Sequence, residues 1–81
     1  MKDLKLNLDL FNWHKDTRTI TAEASTIGRL SWPFYITVFN EKTQQSRVFR
    51  YLSTDTNSDG DIEAWHYENL SHSLKLTIWN D

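Results

Sequence analysis

The chain has 81 residues, a length that suits one small domain spanning residues 1–81. It has no cysteine, which excludes disulfides and thiolate metal sites, and no apolar run approaches the ~20 residues of a membrane-spanning helix. The net charge of −2 is uneven, with +3 on residues 1–50 and −5 on residues 51–81. We therefore expect a cytoplasmic protein with no membrane partner. The acidic last third argues against nucleic acid, because phosphate contacts need a positive surface.

The first quarter of the chain predicts two strands. Leucines alternate with polar residues over residues 4–10, which is the period of a half-buried strand. Residues 20–24 repeat this pattern after a polar turn at residues 13–17, so residues 3–25 predict a hairpin. A loop around Gly28 follows. Within the chain, only residues 23–29 have a composition that could form a helical turn.

The rest of the chain predicts four more strands, at residues 34–40, 47–53, 62–68 and 74–80. The first of these is apolar on both faces, which is typical of a central strand. Polar turns separate the four strands at hairpin spacing. The sequence therefore predicts an all-β fold, in which a small antiparallel six-stranded meander forms a compact sandwich or an open barrel.

Aromatic residues are frequent in these last four strands. Alternation predicts that they share one face of the sheet: Tyr35, Phe39, Phe49, Tyr51, Trp65, Tyr67 and Trp79. The opposite face would hold Phe34, Ile36, Val38, Val48, Leu52, Ile62, Ala64, Leu74, Leu76 and Ile78. Because both faces are apolar, the first hairpin, a curled sheet or a partner must cover the second one.

These aromatic residues predict a binding function. The chain has no sequence motif of a catalytic nucleophile, a phosphate loop or a metalloprotease. We therefore expect a non-enzymatic domain without a cofactor, which acts as a protein-interaction module through the aromatic face. A protein partner or self-association as a homodimer follows from this prediction. A structural second core is the competing interpretation of the same residues.

The segment DTNSDGDIEAWH, residues 55–66, offers an alternative function. It resembles a calcium-binding loop, with oxygen ligands at alternating positions: Asp55, Asn57, Asp59 and Asp61. Gly60 stands where such loops turn sharply, but His66 occupies the position of the bidentate glutamate. Asp, Asn and Gly are also what a tight turn prefers. The loop therefore predicts either a calcium site or a hairpin turn that caps its own backbone.

Overall fold

The computed structural model describes residues 4–28 and 31–81, and its fold is all-β, as predicted. Within these two ranges, seven strands form one sheet that curls into a half-barrel. In chain order they are β1 (Leu4–Asn7), β2 (Asn12–His14), β3 (Thr19–Glu23), β4 (Tyr35–Asn40), β5 (Gln45–Thr56), β6 (Ile62–Asn69) and β7 (Leu74–Trp79). No helix in the two described ranges is long and apolar enough to cross a membrane.

The strand order is β1-β4-β5-β6-β7-β3-β2, which confirms an antiparallel meander for β4 to β7 only. The predicted hairpin across residues 3–25 is wrong, because β1 pairs in parallel with β4 and β3 pairs in parallel with β7. Residue Asp3 of that hairpin lies outside the described residues. Alternation of apolar residues marks the buried face of a strand, but it does not specify which strand lies beside it.

The predicted strand at residues 4–10 ends early, at Asn7. The Asn7 side chain accepts a hydrogen bond from the Asp9 amide, and a 3-10 turn follows over Leu8–Leu10. The chain then continues into β2, which forms a short hairpin with β3. The described part of the chain therefore contains seven strands rather than the predicted six, because the segment predicted as the first hairpin contains three of them.

The curl of the sheet follows from this short connection. Strands β1 and β2 are the two edges of the sheet, yet only five peptide bonds separate Asn7 from Asn12. An extended chain of five residues spans at most ~18 Å. Seven flat strands at ~4.8 Å spacing would place the edges ~29 Å apart. The two edges must therefore approach each other, and the sheet bends around its own core.

The helical turn predicted at residues 23–29 is α1 (Ala24–Ile27), a single turn after β3. Gly28 ends it in the left-handed conformation, with φ of 79°, and the Gly28 amide donates to the Ala24 carbonyl at 2.8 Å. A left-handed C-cap favours glycine because it has no Cβ. Arg29 of the predicted turn and Leu30 of the predicted loop lie outside the described residues.

We call the face of the sheet that carries the buried cluster the inner face. The cluster consists of Leu6, Ile20, Ala24, Ile36, Val38, Phe49, Tyr67, Leu76 and Ile78. The outer face is largely polar, and there Arg50 on β5 and Glu68 on β6 form an ion pair at 3.2 Å. The inner face of the curled sheet therefore covers itself. A curled sheet is one of the three covers that the sequence predicted.

Candidate functional site

The pairing of β5 leaves an opening on the inner face. Strand β5 begins at Gln45, but its pairing with β6 begins only at Arg50. Residues 45–49 therefore have a ladder neighbour on the β4 side alone. The β2–β3 hairpin faces them across the half-barrel, and a cavity of about 380 Å³ lies between the two. We call it the open-end cavity.

Most of the open-end cavity is apolar. Six of its lining residues come from five strands and from the connection before β2: Phe11, Trp13, Ile20, Val38, Phe49 and Leu74. Val38 and Phe49 are buried core residues, so the cavity extends to the central packing of the domain. Trp13 is half-exposed and lies at its rim. A ligand here would replace water on apolar surface, which is favourable.

Two arginines are the charged groups of the described cavity lining, which contains no aspartate or glutamate. Arg18, with φ of 51°, lies in the turn between β2 and β3. Its Nε donates to the Ser73 carbonyl at 3.2 Å, and its Nη2 donates to the His72 carbonyl at 2.9 Å. Arg47 on β5 is opposite Val38 in the ladder, which places it on the inner face. Within the described ranges, neither arginine forms an ion pair.

A second cavity of about 260 Å³ lies at the other end of β5, and we call it the aromatic cavity. It is lined by Trp32, Pro33, Phe34, Tyr51, Thr54, Trp65 and Tyr67. The rings of Trp32 and Trp65 are 5.4 Å apart, and Tyr51 meets both Phe34 and Tyr67 edge-on at 5.8 Å. The indole N–H of Trp32 is enclosed and has no acceptor among the residues that the structure describes.

The prediction that seven aromatic residues share one face is wrong. In the ladders Phe49 lies opposite Ile36 and Tyr67 lies opposite Leu76, so both belong to the inner face. Their side chains are 1% and 0% exposed, respectively. The register places three of the seven on the outer face instead: Tyr35, Phe39 and Trp79.

The structure brings the predicted aromatic residues together in part. Tyr51, Trp65 and Tyr67 meet in the aromatic cavity. Phe49 lines the open-end cavity from the inner face. Phe39 borders the same cavity at the end of β4, but its ladder position is on the outer face, where Lys5 lies 5.5 Å from the centre of its ring. Each strand has two apolar faces, and alternation does not say which face of one strand continues onto the next. The role of these aromatic residues in binding stays a prediction.

Sequence reasoning missed the arginines of the open-end cavity. Arg47 alternates in phase with Phe49 and Tyr51, so it is a charged residue within an apolar face. That irregularity is a signal available in the sequence, because an inward-facing charge needs compensation. Arg18 carries no comparable signal. It stands in a polar turn, and only the pairing of β3 with β7 brings it beside Ser73.

The predicted calcium loop forms a compact turn between β5 and β6. The Asn57 Oδ1 accepts from the amides of Asp59 and Asp61, at 2.9 and 3.0 Å, and Gly60 has a φ of 86°. Asp55 accepts from the His66 ring at 2.7 Å. Among residues 4–28 and 31–81, no three His, Cys, Asp or Glu side chains are grouped closely enough to hold a metal ion. The calcium site stays a prediction.

Comparison with known proteins supplies no relative from which a role could be transferred. No family model, no curated protein and no solved structure matches this chain. The arguments for function therefore come from the two cavities, from the residues that line them and from their charges.

Proposed function

We propose that this chain is a small, non-enzymatic binding domain, and that it takes the apolar part of a small organic ligand into the open-end cavity. The observation that carries the proposal is the cavity itself. Its volume of about 380 Å³ lies within the usual range of ligand sites, roughly 300–1,000 Å³. Its lining is apolar with a few convergent polar groups, which is the common composition of such sites.

The architecture supports the same choice. The β5–β6 ladder stops at Arg50, so no described strand pairs with residues 45–49 on that side. There the Asn69 side chain donates to the Val48 carbonyl at 2.9 Å, and Arg47 and Phe49 line the open-end cavity. The aromatic cavity is smaller, at about 260 Å³, and the contacts among its own rings occupy much of that end. Of these two cavities, the open-end cavity therefore has more apolar surface available to a ligand.

A neutral fluorescent probe tests the proposal. N-phenyl-1-naphthylamine brightens in apolar surroundings, and we expect saturable binding with one site per chain. Leu74→Trp adds a large ring to a residue that lines the cavity, and we expect it to weaken binding at least tenfold. Val48→Trp is the matched control, because Val48 is opposite Thr37 on the outer face. Unfolding midpoints in urea would confirm that both variants fold.

Two results would contradict the proposal. One is the absence of saturable fluorescence in the unmodified protein. The other is equal probe binding by the folded Leu74→Trp and Val48→Trp variants, since the probe would then lie elsewhere.

Protein binding or self-association through the aromatic residues is a separate prediction. It now rests on the half-exposed rings of the outer face, those of Tyr35 and Trp79. Light scattering behind a sizing column, over a range of concentrations, would measure self-association. A mass that stays at one chain would contradict the homodimer.

A further inference from the structure

We infer that the ligand of the open-end cavity is an anionic amphiphile, an organic acid whose apolar body fills the cavity and whose carboxylate, sulfonate or phosphate group meets Arg18 and Arg47. This inference rests on the proposed function, because it names the chemical class of ligand for the same site. The observations that carry it are the positions, the hydrogen bonds and the missing counter-charges of the two arginines.

Arg47 is placed on the inner face with most of its donors uncommitted. It stands opposite Val38 and in phase with the buried Phe49, and it is itself half-buried. A guanidinium has five N–H donors. Among the described residues, Arg47 makes a single hydrogen bond, from Nη1 to the carbonyl of its neighbour Ser46 at 3.1 Å. A partly desolvated charge with free donors is a good partner for an anion.

Arg18 is held in place by the backbone around it. Its guanidinium donates to the carbonyls of His72 and Ser73, and its own carbonyl accepts from the Lys75 amide at 3.0 Å. These contacts anchor both the side chain and the main chain of Arg18 to residues 72–75 and still leave guanidinium donors free. A group fixed before the ligand arrives loses less conformational entropy on binding.

The charge balance around the cavity favours an anion. The described lining contains two guanidinium groups and no carboxylate, and its other polar side chains are the amides of Asn40 and Gln45. The chain as a whole carries −2, so this positive site stands against the overall charge. Each guanidinium matches the geometry of carboxylate, sulfonate or phosphate oxygens, which can accept two parallel N–H bonds from one arginine.

A matched pair of probes separates the charge from the apolar body. The anionic probe is 8-anilinonaphthalene-1-sulfonate, which has the rings of N-phenyl-1-naphthylamine plus one sulfonate. We expect the unmodified protein to bind the sulfonate at least fivefold more tightly than the neutral probe. Added salt should bring the ratio of the two affinities closer to one, because it screens the attraction between the sulfonate and the arginines. Displacement of the neutral probe by octanoate, but much less by octanol, would extend the result to a carboxylate.

Variants assign the preference to the arginines. We expect Arg47→Gln to weaken sulfonate binding at least tenfold and to leave neutral-probe binding within twofold. Arg18→Gln should act in the same direction, and Arg47→Lys should keep part of the preference. Arg50→Gln is the control, because Arg50 pairs with Glu68 on the outer face, and both probes should bind it unchanged.

The possible failures are distinguishable. If neither probe binds, the proposed function fails together with the inference. If the neutral probe binds and the sulfonate binds no better, the inference alone is overturned. The inference alone is also overturned if the folded Arg47→Gln variant changes the affinities of both probes equally, or changes neither affinity. The ratio of the two probe affinities in the unmodified protein tests the inference even if a variant does not fold.

Discussion

The two ends of the half-barrel use one inner face in different ways. At the end with the aromatic cavity, which we call the closed end, the Tyr67 hydroxyl donates to the Pro33 carbonyl at 2.6 Å, and the ring of Tyr51 packs between Phe34 and Tyr67. At the opposite end, β5 extends beyond its pairing with β6 and its side chains line the larger cavity.

The difference shows what a neighbouring strand contributes. Where β5 and β6 are paired, rings from both strands meet and a hydroxyl finds a buried acceptor. Where β5 has no neighbour on that side, apolar side chains and a guanidinium border open space. Packing supplies stability at the closed end, and its absence leaves a cavity at the other end, where we propose that a ligand binds.

The largest expected effect is a change in the free energy of unfolding, and it comes from comparing one aromatic ring at each end. Tyr67→Ala removes a fully buried side chain at the closed end and should destabilise the domain by about 3–5 kcal/mol. Trp13→Ala removes a ring that is 50% exposed at the open-end cavity and should cost about 1 kcal/mol. Urea unfolding followed by circular dichroism measures both. Equal costs would show that the two ends are packed alike, and the comparison would fail.

The next largest effect is expected from a comparison of the two cavity arginines, again in the free energy of unfolding. Arg18→Gln loses two hydrogen bonds to backbone carbonyls and should lower the free energy of unfolding by about 1 kcal/mol. Arg47→Gln loses one contact to a neighbouring residue, and we expect a change within about 0.5 kcal/mol. The same urea titration measures both. A large loss for Arg47→Gln would mean that this guanidinium stabilises the fold rather than awaiting a ligand.

The turn beyond the closed end gives a third test. Asn57→Ala removes the acceptor of two backbone amides and should cost about 1 kcal/mol, whereas Asn57→Asp keeps an oxygen there and should cost less than about 0.5 kcal/mol. Melting temperatures of the unmodified protein in millimolar calcium and in chelator check the calcium prediction. Calcium bound to the folded state raises the melting temperature, and equal values contradict the site.

The smallest effect concerns the carboxylate at the closed end. The hydroxyl of Ser25, and then its amide, donate to Asp81 and hold the pKa of that carboxyl below its ordinary value. Because the folded-state pKa is the lower one, this stabilisation is present above the unfolded pKa, about 3.9, and is lost as the pH falls through the folded-state value.

Ser25→Ala tests this by comparison with the unmodified protein in urea at several values of pH between 6 and 2. The unmodified protein should be slightly more stable near pH 6, and the two curves should converge at the acidic end. A difference that stays constant over the whole range would mean that the Ser25 hydroxyl acts through something other than the charge on Asp81.

The sequence predicted the strands of the meander better than their faces. Alternation identified β4 to β7 within a few residues, and it grouped Ile36 with Val38 and Leu76 with Ile78, all four of which are buried. It assigned Phe49 to the wrong side, because β5 is apolar on both faces. The ladder also shifts register between Tyr51 and Ser53, which leaves Leu52 unpaired and interrupts the alternation.

The sequence predicted less of the candidate site than of the fold. The turn chemistry at Asn57 was predictable as one of two alternatives, because an Asx side chain caps its own backbone in either case. The open-end cavity was not predictable. It depends on where β6 begins to pair with β5 and on which hairpin faces the gap, and both are contacts between residues distant in the sequence.

By itself, the sequence determined the all-β class, the meander of β4 to β7 and the turns between those four strands, because period-two alternation and turn residues act locally. Only the tertiary structure decided that β1 and β3 run parallel to their neighbours and that the sheet curls. It also decided that Arg18 and Arg47 line one apolar cavity. Pairing partner, register and closure depend on burial summed over the whole chain, which no single stretch of residues specifies.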